Sequence, residues 1–477
     1  MSVEKNRIFF LHLIVMMVIM IGFRFLPPLG EITPGGMQIL GVFIGGIYGW
    51  ITIGLLLPSL LGMLVAGFTD VITTTEFFTK AFGSQIFVLV MGMMILAAFI
   101  SQNNLAQVII RTLMSLKISR GRPWVTVLCF FYAIFAVASV TNSTISAVLC
   151  ITLYIQMAAD AKLPQYNRLN TAMITGMAFS ALMGDCTLPF QNTVILVSGA
   201  YHSVTGINLD LGLYLLSFLP WAMFMIAVYV LFCKYVLRID ASALLNANMN
   251  YGGENVTKRQ MISIGFILLT LVLLVLPNFL PEGLFLKSFL QSLGLGGTVL
   301  LALFIMAIVQ IDGESILNIQ QAAKGISWDI LFMIAYYFPV ASILTSDATG
   351  IKATITTVLT PILSGLSPIL IVIVIAVSCV IFTNFLNNML VAALMTSTVG
   401  LMSDFLGGTS LAALVLVIIF CCNIAYILPS SCPTNAYFYS QRELIRFNTQ
   451  FTHALVVGIV MLVITIILGL PWFSLFF

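Results

Sequence analysis

Four short stretches of this 477-residue chain place polar side chains where almost everything around them is apolar. Two are runs of hydroxyl and amide residues: Thr141-Asn142-Ser143-Thr144, and Asn384 with Asn387-Asn388. Two are proline-broken segments: Gly184-Asp185-Cys186-Thr187-Leu188-Pro189-Phe190-Gln191-Asn192 and Pro429-Ser430-Ser431-Cys432-Pro433-Thr434-Asn435. Asn, Ser and Thr present oxygen lone pairs to a cation and N–H or O–H donors to an anion. A helix interrupted inside an apolar run adds unpaired amides at one end and unpaired carbonyls at the other. The positive dipole end suits an anion, and free carbonyls suit a small cation such as Na⁺. No Arg or Lys falls in the four stretches, so an anion bound there would be held by amides, hydroxyls and a co-bound cation. Asp185 is the one acid expected near the middle of a span, and charge at membrane depth is costly enough to make it a functional candidate. Three roles are open to it: cation ligand, carrier of a coupling proton, or partner of the loop's own amides. Pro189, Pro429 and Pro433 remove helical hydrogen bonds and hold the unwound shape.

Lipid must surround the elements that position these residues. The chain is 61% hydrophobic and 7% charged, against about 25% charged in soluble domains. The longest polar segment, Arg238–Gln260, reads as a linker. The run Ile8–Gly22 follows Lys5 and Arg7 but lacks a small-residue cleavage site, so it reads as a retained first helix. Eight cysteines without a CxxC read as buried thiols, with no metal or disulfide framework. His12, His202 and His453 are far apart and read as structural. Gly41, Gly45 and Gly49 have the spacing of a helix-packing face. The net charge of +3 says little about partners, because the basic residues serve topology.

A membrane helix needs about 20 apolar residues. That places about 11 transmembrane helices at 8–25, 37–50, 51–67, 84–103, 170–200, 211–234, 261–280, 294–310, 327–345, 411–440 and 451–474. Residues 123–159 and 353–403 are uncharged runs of 37 and 51, the first too long for one span and short for two with a loop. Each carries its polar cluster near the middle. Such backbone is tolerated at membrane depth only inside protein or at a wet cavity, so both runs read as re-entrant hairpins. With the N-terminus in the cytoplasm, one hairpin entering from inside and the other from outside, fifteen Lys and Arg lie inside, Lys117, Arg120, Lys162, Arg168 and Lys324 among them. Only Arg24, Lys80, Lys287 and Lys352 lie outside. Each hairpin is followed by a broken span, with Asn142 and Asn192 50 residues apart and Asn388 and Asn435 47 apart. The expected fold is therefore an all-α polytopic membrane protein. Its inverted-topology repeat has two re-entrant hairpins and two broken helices, the pattern of secondary transporters.

These tips and breaks resemble the divalent anion–sodium symporter family, which includes dicarboxylate and citrate carriers. That family has a Ser-Asn-Thr motif at each hairpin tip and a Thr-Pro-Pro-Asn-like break after it. Here the first tip reads Thr141-Asn142-Ser143 and the second Asn387-Asn388-Met389. The first break matches through Pro189 and Asn192, the second through Ser431-Cys432-Pro433-Thr434-Asn435-Ala436. The resemblance implies a homodimer in the cell inner membrane, Na⁺ coupling, no organic cofactor and elevator-type alternating access. It implies scaffold helices at 1–122 and 261–352, transport-domain halves at 123–237 and 353–477, and a cytoplasmic linker at 238–260. Carried over, Thr141, Asn142, Thr187 and Leu188 would serve one Na⁺ site, and Thr383, Asn388 and Ser431 a second. Asn142, Ser143, Asn192, Asn387, Asn388, Cys432, Pro433 and Asn435 would face substrate, with Asp185 a coupling candidate. Met389 replaces a hydroxyl expected to bond one carboxylate, and Asp185 adds negative charge beside the first site.

The leading expectation is thus a secondary carrier of small organic anions, di- or tricarboxylate-like. A proton-coupled carrier or exchanger for a monocarboxylate, sulfonate or inorganic oxyanion competes with it. A membrane enzyme would need clustered His, Asp, Glu or Cys at a membrane face, and the sequence has no such cluster. Paired re-entrant hairpins occur in channels too, but inverted broken helices and an expected moving domain favour a carrier.

Overall fold

Proline and asparagine mark the helix starts that matter most in this chain. Pro123 and Pro368 stand at first helical positions, where a missing N–H removes no intrahelical bond. Asn142 and Asn387 cap the two helices that follow. The computed structural model describes residues 3–103, 105–114, 121–189, 191–246, 257–311, 313–344, 346–354, 357–358, 366–402 and 406–477. Lys117, Arg120, Phe190, part of the 238–260 linker and part of the 353–403 run lie outside the described residues.

Among the described residues the fold is all-α apart from a short antiparallel pair, Gln310–Ile311 with Glu314–Ser315. Among the described residues nine helices are long and apolar enough to cross a membrane. A tenth arises if Thr74–Phe82 and Phe87–Ile100, bent by 44°, act as one span. The count differs from 11 for definite reasons. The expected spans at 51–67 and 327–345 are helices of 11 and 17 residues, Leu56–Ala66 and Trp328–Leu344. The spans at 170–200 and 411–440 are split by their breaks. Against that, the two long uncharged runs supply further helices.

The first run, expected to be short for two spans with a loop, forms Pro123–Val140 and Ser143–Asp160, joined by Thr141 and Asn142 alone. At 1.5 Å per residue each 18-residue limb is about 27 Å long. The two-residue joint is why 37 residues suffice. The second run forms Pro368–Phe385 and Asn388–Leu401, joined by Leu386 and Asn387. The first broken span is Arg168–Gly184, then Asn192–Thr205, with residues 185–189 and Gln191 unwound between them. The second is Leu411–Cys422, a segment 423–432, then Pro433–Tyr439. This break starts six residues before Pro429, because the side chain of Asn423 donates back to the Ile419 carbonyl at 2.8 Å and ends the helix.

Two hydrophobic cores result. One gathers both hairpins, both broken spans and the helices Leu211–Leu231 and Phe447–Ile464. The other gathers Pro34–Thr52, Leu56–Ala66, Thr74–Phe82, Gln85–Gln102, Phe285–Ile308 and Trp328–Leu344. Helices Asn192–Thr205 and Asn388–Leu401 give residues to both: Val194 and Val391 to the first, Ile195 and Leu390 to the second. They also pack on each other, so the last helix of one broken span rests on the last limb of the other half's hairpin. The reciprocal contact exists too, between Pro433–Tyr439 and Ser143–Asp160.

Missing side chains make the closest approaches possible. A Cβ at Gly400 would stand 2.2 Å from Val204 Cγ1, and one at Gly184 2.4 Å from the Phe135 carbonyl oxygen. The glycine face behaves as its spacing indicates: Cβ atoms at Gly41, Gly45 and Gly49 would meet Phe23, Met20 and Met16 within 2.6 Å. The eight thiols are free and seven are buried. His12 bonds Tyr48 at 2.7 Å and His453 bonds Tyr229 at 3.1 Å. Helices Thr74–Phe82 and Leu105–Met114 escaped the span reading because neither approaches 20 apolar residues.

Candidate functional site

At each tip the capping asparagine turns its oxygen toward the helix it starts. Asn142 Oδ1 accepts from the Ile145 amide at 2.8 Å, and Asn387 Oδ1 from Met389 and Leu390 at 3.0 and 3.3 Å. Each tip is then tied to the break of its own half. In the first half Gln191 Nε2 donates to the carbonyls of Ala138 and Ser139, at 3.1 and 2.5 Å. In the second, Thr383 Oγ1 donates to Cys422, and Asn384 joins four groups of the break. Its nitrogen donates to Ile424 at 2.9 Å and its oxygen accepts from Ile427 and Leu428 at 3.0 and 3.2 Å, while Ser430 donates to its carbonyl. Much of the unwound backbone is thereby paired with side chains.

The first tip also reaches the second break. Thr434 Oγ1 donates to Ser143 Oγ at 2.9 Å, and Ser143 Oγ donates to Asp185 Oδ2 at 2.8 Å. Thr144 Oγ1 lies 3.0 Å from Thr434 Oγ1, whose hydrogen is committed to Ser143, so Thr144 is the donor. Three hydroxyls therefore point along one line that ends on a carboxylate, an arrangement in which each bond strengthens the next. At the second tip Asn388 Nδ2 donates to Asn423 Oδ1 at 3.0 Å, leaving Asn388 Oδ1 available.

Two cavities adjoin these tips. The first, about 220 Å³, is lined by Thr141, Asn142, Gln191 and Asn192, and closed by Met94 and Gln102 among others. The second, about 370 Å³, is lined by Asn387, Ser431, Cys432 and Pro433, and closed by Trp50 and Leu55. Both lie at one end of the second core, where Pro34–Thr52 and Gln85–Gln102 finish and Trp328–Leu344 begins. The opposite end is tied by Thr33 to Thr349. No charged side chain among the described residues lines either cavity.

Of the residues singled out in the sequence, Thr141, Asn142 and Asn192 line the first cavity, and Asn387, Ser431, Cys432 and Pro433 the second. Ser143, Asp185, Thr187, Leu188, Thr383, Asn388 and Asn435 line neither and are engaged just behind them or buried. Thr187 Oγ1 donates to Met183 O, and Asn435 Nδ2 to Leu428 O, each at 2.6 Å. Gln191, Asn384 and Thr434 fell inside the stretches singled out in the sequence without roles of their own, and Asn423 lay outside them. An asparagine one residue past an apolar run, Asn423, was a readable signal; the reach of Thr434 across 291 residues to Ser143 was not.

The hydroxyl hydrogens of Thr141 and Ser431 point at carbonyls of their own half. Thr141 Oγ1 donates to Val137 O, and Ser431 Oγ to Ala425 O and Leu428 O. Oxygen lone pairs remain available, a chemistry fitted to a small hard cation. A polytopic protein with polar helix joints and unwound helix segments between apolar spans has the build of a secondary transporter. The chain belongs to the citrate transporter family, which matches residues 39–404, within the divalent anion–sodium symporter superfamily. It is a multi-pass secondary transporter of small anions, and its family is one of transporters, not enzymes. Among solved structures it is similar in fold to the YdaH transporter of Alcanivorax borkumensis, with a TM-score of 0.54 at 14% identity. That likeness covers 83% of this chain and 86% of the other. Among curated proteins none matches the sequence.

Proposed function

We propose that this chain is a sodium-coupled secondary active transporter of small organic anions, di- or tricarboxylate-like, working by elevator-type alternating access. The observation that carries the reading is the pair of cavities, each built from one hairpin tip and one helix break. In this reading 123–237 and 353–477 form the transport domain, 1–122 and 261–352 the scaffold, and 238–260 the linker. The two halves are inverted repeats whose hairpins re-enter the membrane from opposite faces. Thr141 and Asn142, with Thr187 and Leu188, hold one Na⁺; Thr383, Asn388 and Ser431 hold another. Asn142, Ser143, Asn192, Asn387, Asn388, Cys432, Pro433 and Asn435 serve the substrate. The protein sits in the cell inner membrane with its N-terminus inside, as a homodimer.

Uptake of labelled succinate and citrate into proteoliposomes tests this. An inward Na⁺ gradient should drive accumulation of at least one, and dissipating the gradient should abolish it. Equal uptake with Na⁺ or K⁺ would overturn sodium coupling. Asp185 supports a second reading, because a carboxylate at the end of a hydroxyl chain beside the first tip suits proton coupling or exchange. Met389 supports a monocarboxylate or sulfonate as its cargo, where the family has a hydroxyl.

A further inference from the structure

We propose that a cavity on the far side of the first break is a second ligand site, which takes an uncharged amphiphile and braces the two cores against each other. The cavity holds about 440 Å³, more than either tip cavity. Its walls come from both cores. Leu209 and Leu211 belong to the first, Leu89, Ile195 and Leu274 to the second, and Leu295 packs against both. Junctions between packed bodies are favoured places for small-molecule sites. The break separates this space from the first tip cavity. Pro189 lines the one, Gln191 and Asn192 the other, and on helix Gln85–Gln102 the boundary falls between Leu89 and Met93. Among the described residues no hairpin-tip side chain lines it.

Polar groups around the cavity select the ligand's head. The carboxamides of Gln85, Asn208 and Gln291 and the hydroxyl of Ser198 line it, and among the described residues none of these side chains has a hydrogen-bond partner. A carboxamide both donates and accepts, which matches an amide or hydroxyl head. Gln85 lies across the kink of helix Phe285–Ile308: a Cβ at Gly294 would stand 2.5 Å from its Oε1, so glycine leaves the carboxamide its place. Asp210 is the one charged residue in the wall among the described residues. It caps helix Leu211–Leu231, accepting from the Gly212 and Leu213 amides at 2.8 and 3.0 Å. A carboxylate head would meet that charge with no cation in the wall, so the carrier's own cargo is turned away. An ammonium gains little, because the positive end of the capped helix already offsets Asp210. The hydrocarbon part rests on Leu89, Leu274, Leu290 and Leu295. Only the consequence depends on the carrier reading above: in an elevator the two cores slide past each other, and a ligand gripping both holds them still.

Decanamide, decanoate and decylammonium share a tail and differ in the head. Each would be added at matched bilayer concentration to the full-length Asn208→Cys protein in nanodiscs, and the rate of maleimide labelling followed; seven of the eight native thiols are buried. Decanamide should slow labelling several-fold by occupying the cavity, and the two ions should slow it much less. With the unaltered chain in proteoliposomes, decanamide should inhibit succinate or citrate uptake, and excess anion should not relieve the inhibition. Gln291→Glu, added to the labelled protein, places a carboxylate at an exposed wall position and should turn the preference toward decylammonium, a reversal that misfolding cannot produce. Ser198→Phe fills the cavity and should remove both protection and inhibition. No protection by decanamide, equal protection by all three heads, or inhibition relieved by excess anion overturns the inference. Protection with unimpaired uptake overturns the brace. Head-selective protection in a protein that carries neither anion overturns the carrier reading and leaves the ligand site standing.

Discussion

Ser143 is the side chain on which most of the first tip depends. It accepts from Thr434, donates to Asp185, and so joins both halves of the chain through one oxygen. Its neighbour Asn142 caps a helix and faces the cavity. Replacing Asn142 by Ala removes a cap, for about 0.5–2 kcal/mol of stability, together with the free amide. Replacing Asn388 by Ala leaves Asn423 Oδ1 without its donor, which costs about 1–3 kcal/mol. Both variants should reach the membrane folded yet lose at least 10-fold in uptake. Normal uptake by both in proteoliposomes would remove them from the site. Asp185→Asn keeps the shape but takes away the charge on which three hydroxyls converge. Its uptake should therefore show altered Na⁺ and pH profiles, and superposable profiles would make Asp185 structural. The sequence revealed these residues because polar side chains in an apolar run stand out. Their division of labour was hidden, since which hydroxyl gives its hydrogen to which carbonyl depends on geometry. Asn388 was expected to face substrate, yet its nitrogen is held by Asn423, far along the chain.

Helices meet at this site without spacers. Gly184 ends the first half of a broken span against the Phe135 carbonyl and Ala138, directly before the first tip. Backbone cannot move aside as a side chain can, so Gly184→Val must push break and tip apart. A loss of about 1–3 kcal/mol in stability and a fall in uptake should follow. Gly265 is the contrasting position, within helix Lys258–Val275 and with no atom within 4 Å of an added Cβ. Gly265→Ala should leave uptake intact and raise stability by about 0.5–1 kcal/mol, read as a higher unfolding midpoint. Equal damage from the two variants would show that close approach at Gly184 is irrelevant. At this scale the sequence was most readable: the helix Pro34–Thr52 was expected at 37–50, and Leu211–Leu231 at 211–234. Helix Phe285–Ile308 begins nine residues before its expectation of 294, because Gly294 (φ 63°) sits inside it as a kink rather than at its start. Hydropathy cannot distinguish a glycine that bends a helix from one that begins it.

For the molecule as a whole, orientation follows from charge. The proposed topology puts Lys324 inside and Thr75 outside, both on exposed positions. In intact cells a membrane-impermeant maleimide should label Thr75→Cys and not Lys324→Cys, with inside-out vesicles giving the reverse. The unmodified chain serves as blank because seven of its eight thiols are buried. The opposite pattern would invert every loop assignment. Charge and spacing led to the expectation that the two halves correspond; they held no sign of which side chains tie one half to the other. Helix Pro433–Tyr439 rests on the first hairpin, and Asn192–Thr205 on the second. That exchange bears on how the protein is made. Thr144 leaves the ribosome 290 residues before its partner Thr434, a delay of roughly 15–60 s at ordinary elongation rates. Throughout that interval the Ser143 and Thr144 hydroxyls lack the partner that Thr434 supplies. A chain truncated before residue 434 leaves Thr144 without this partner and should be degraded faster than the full chain, which a pulse-chase comparison of the two measures.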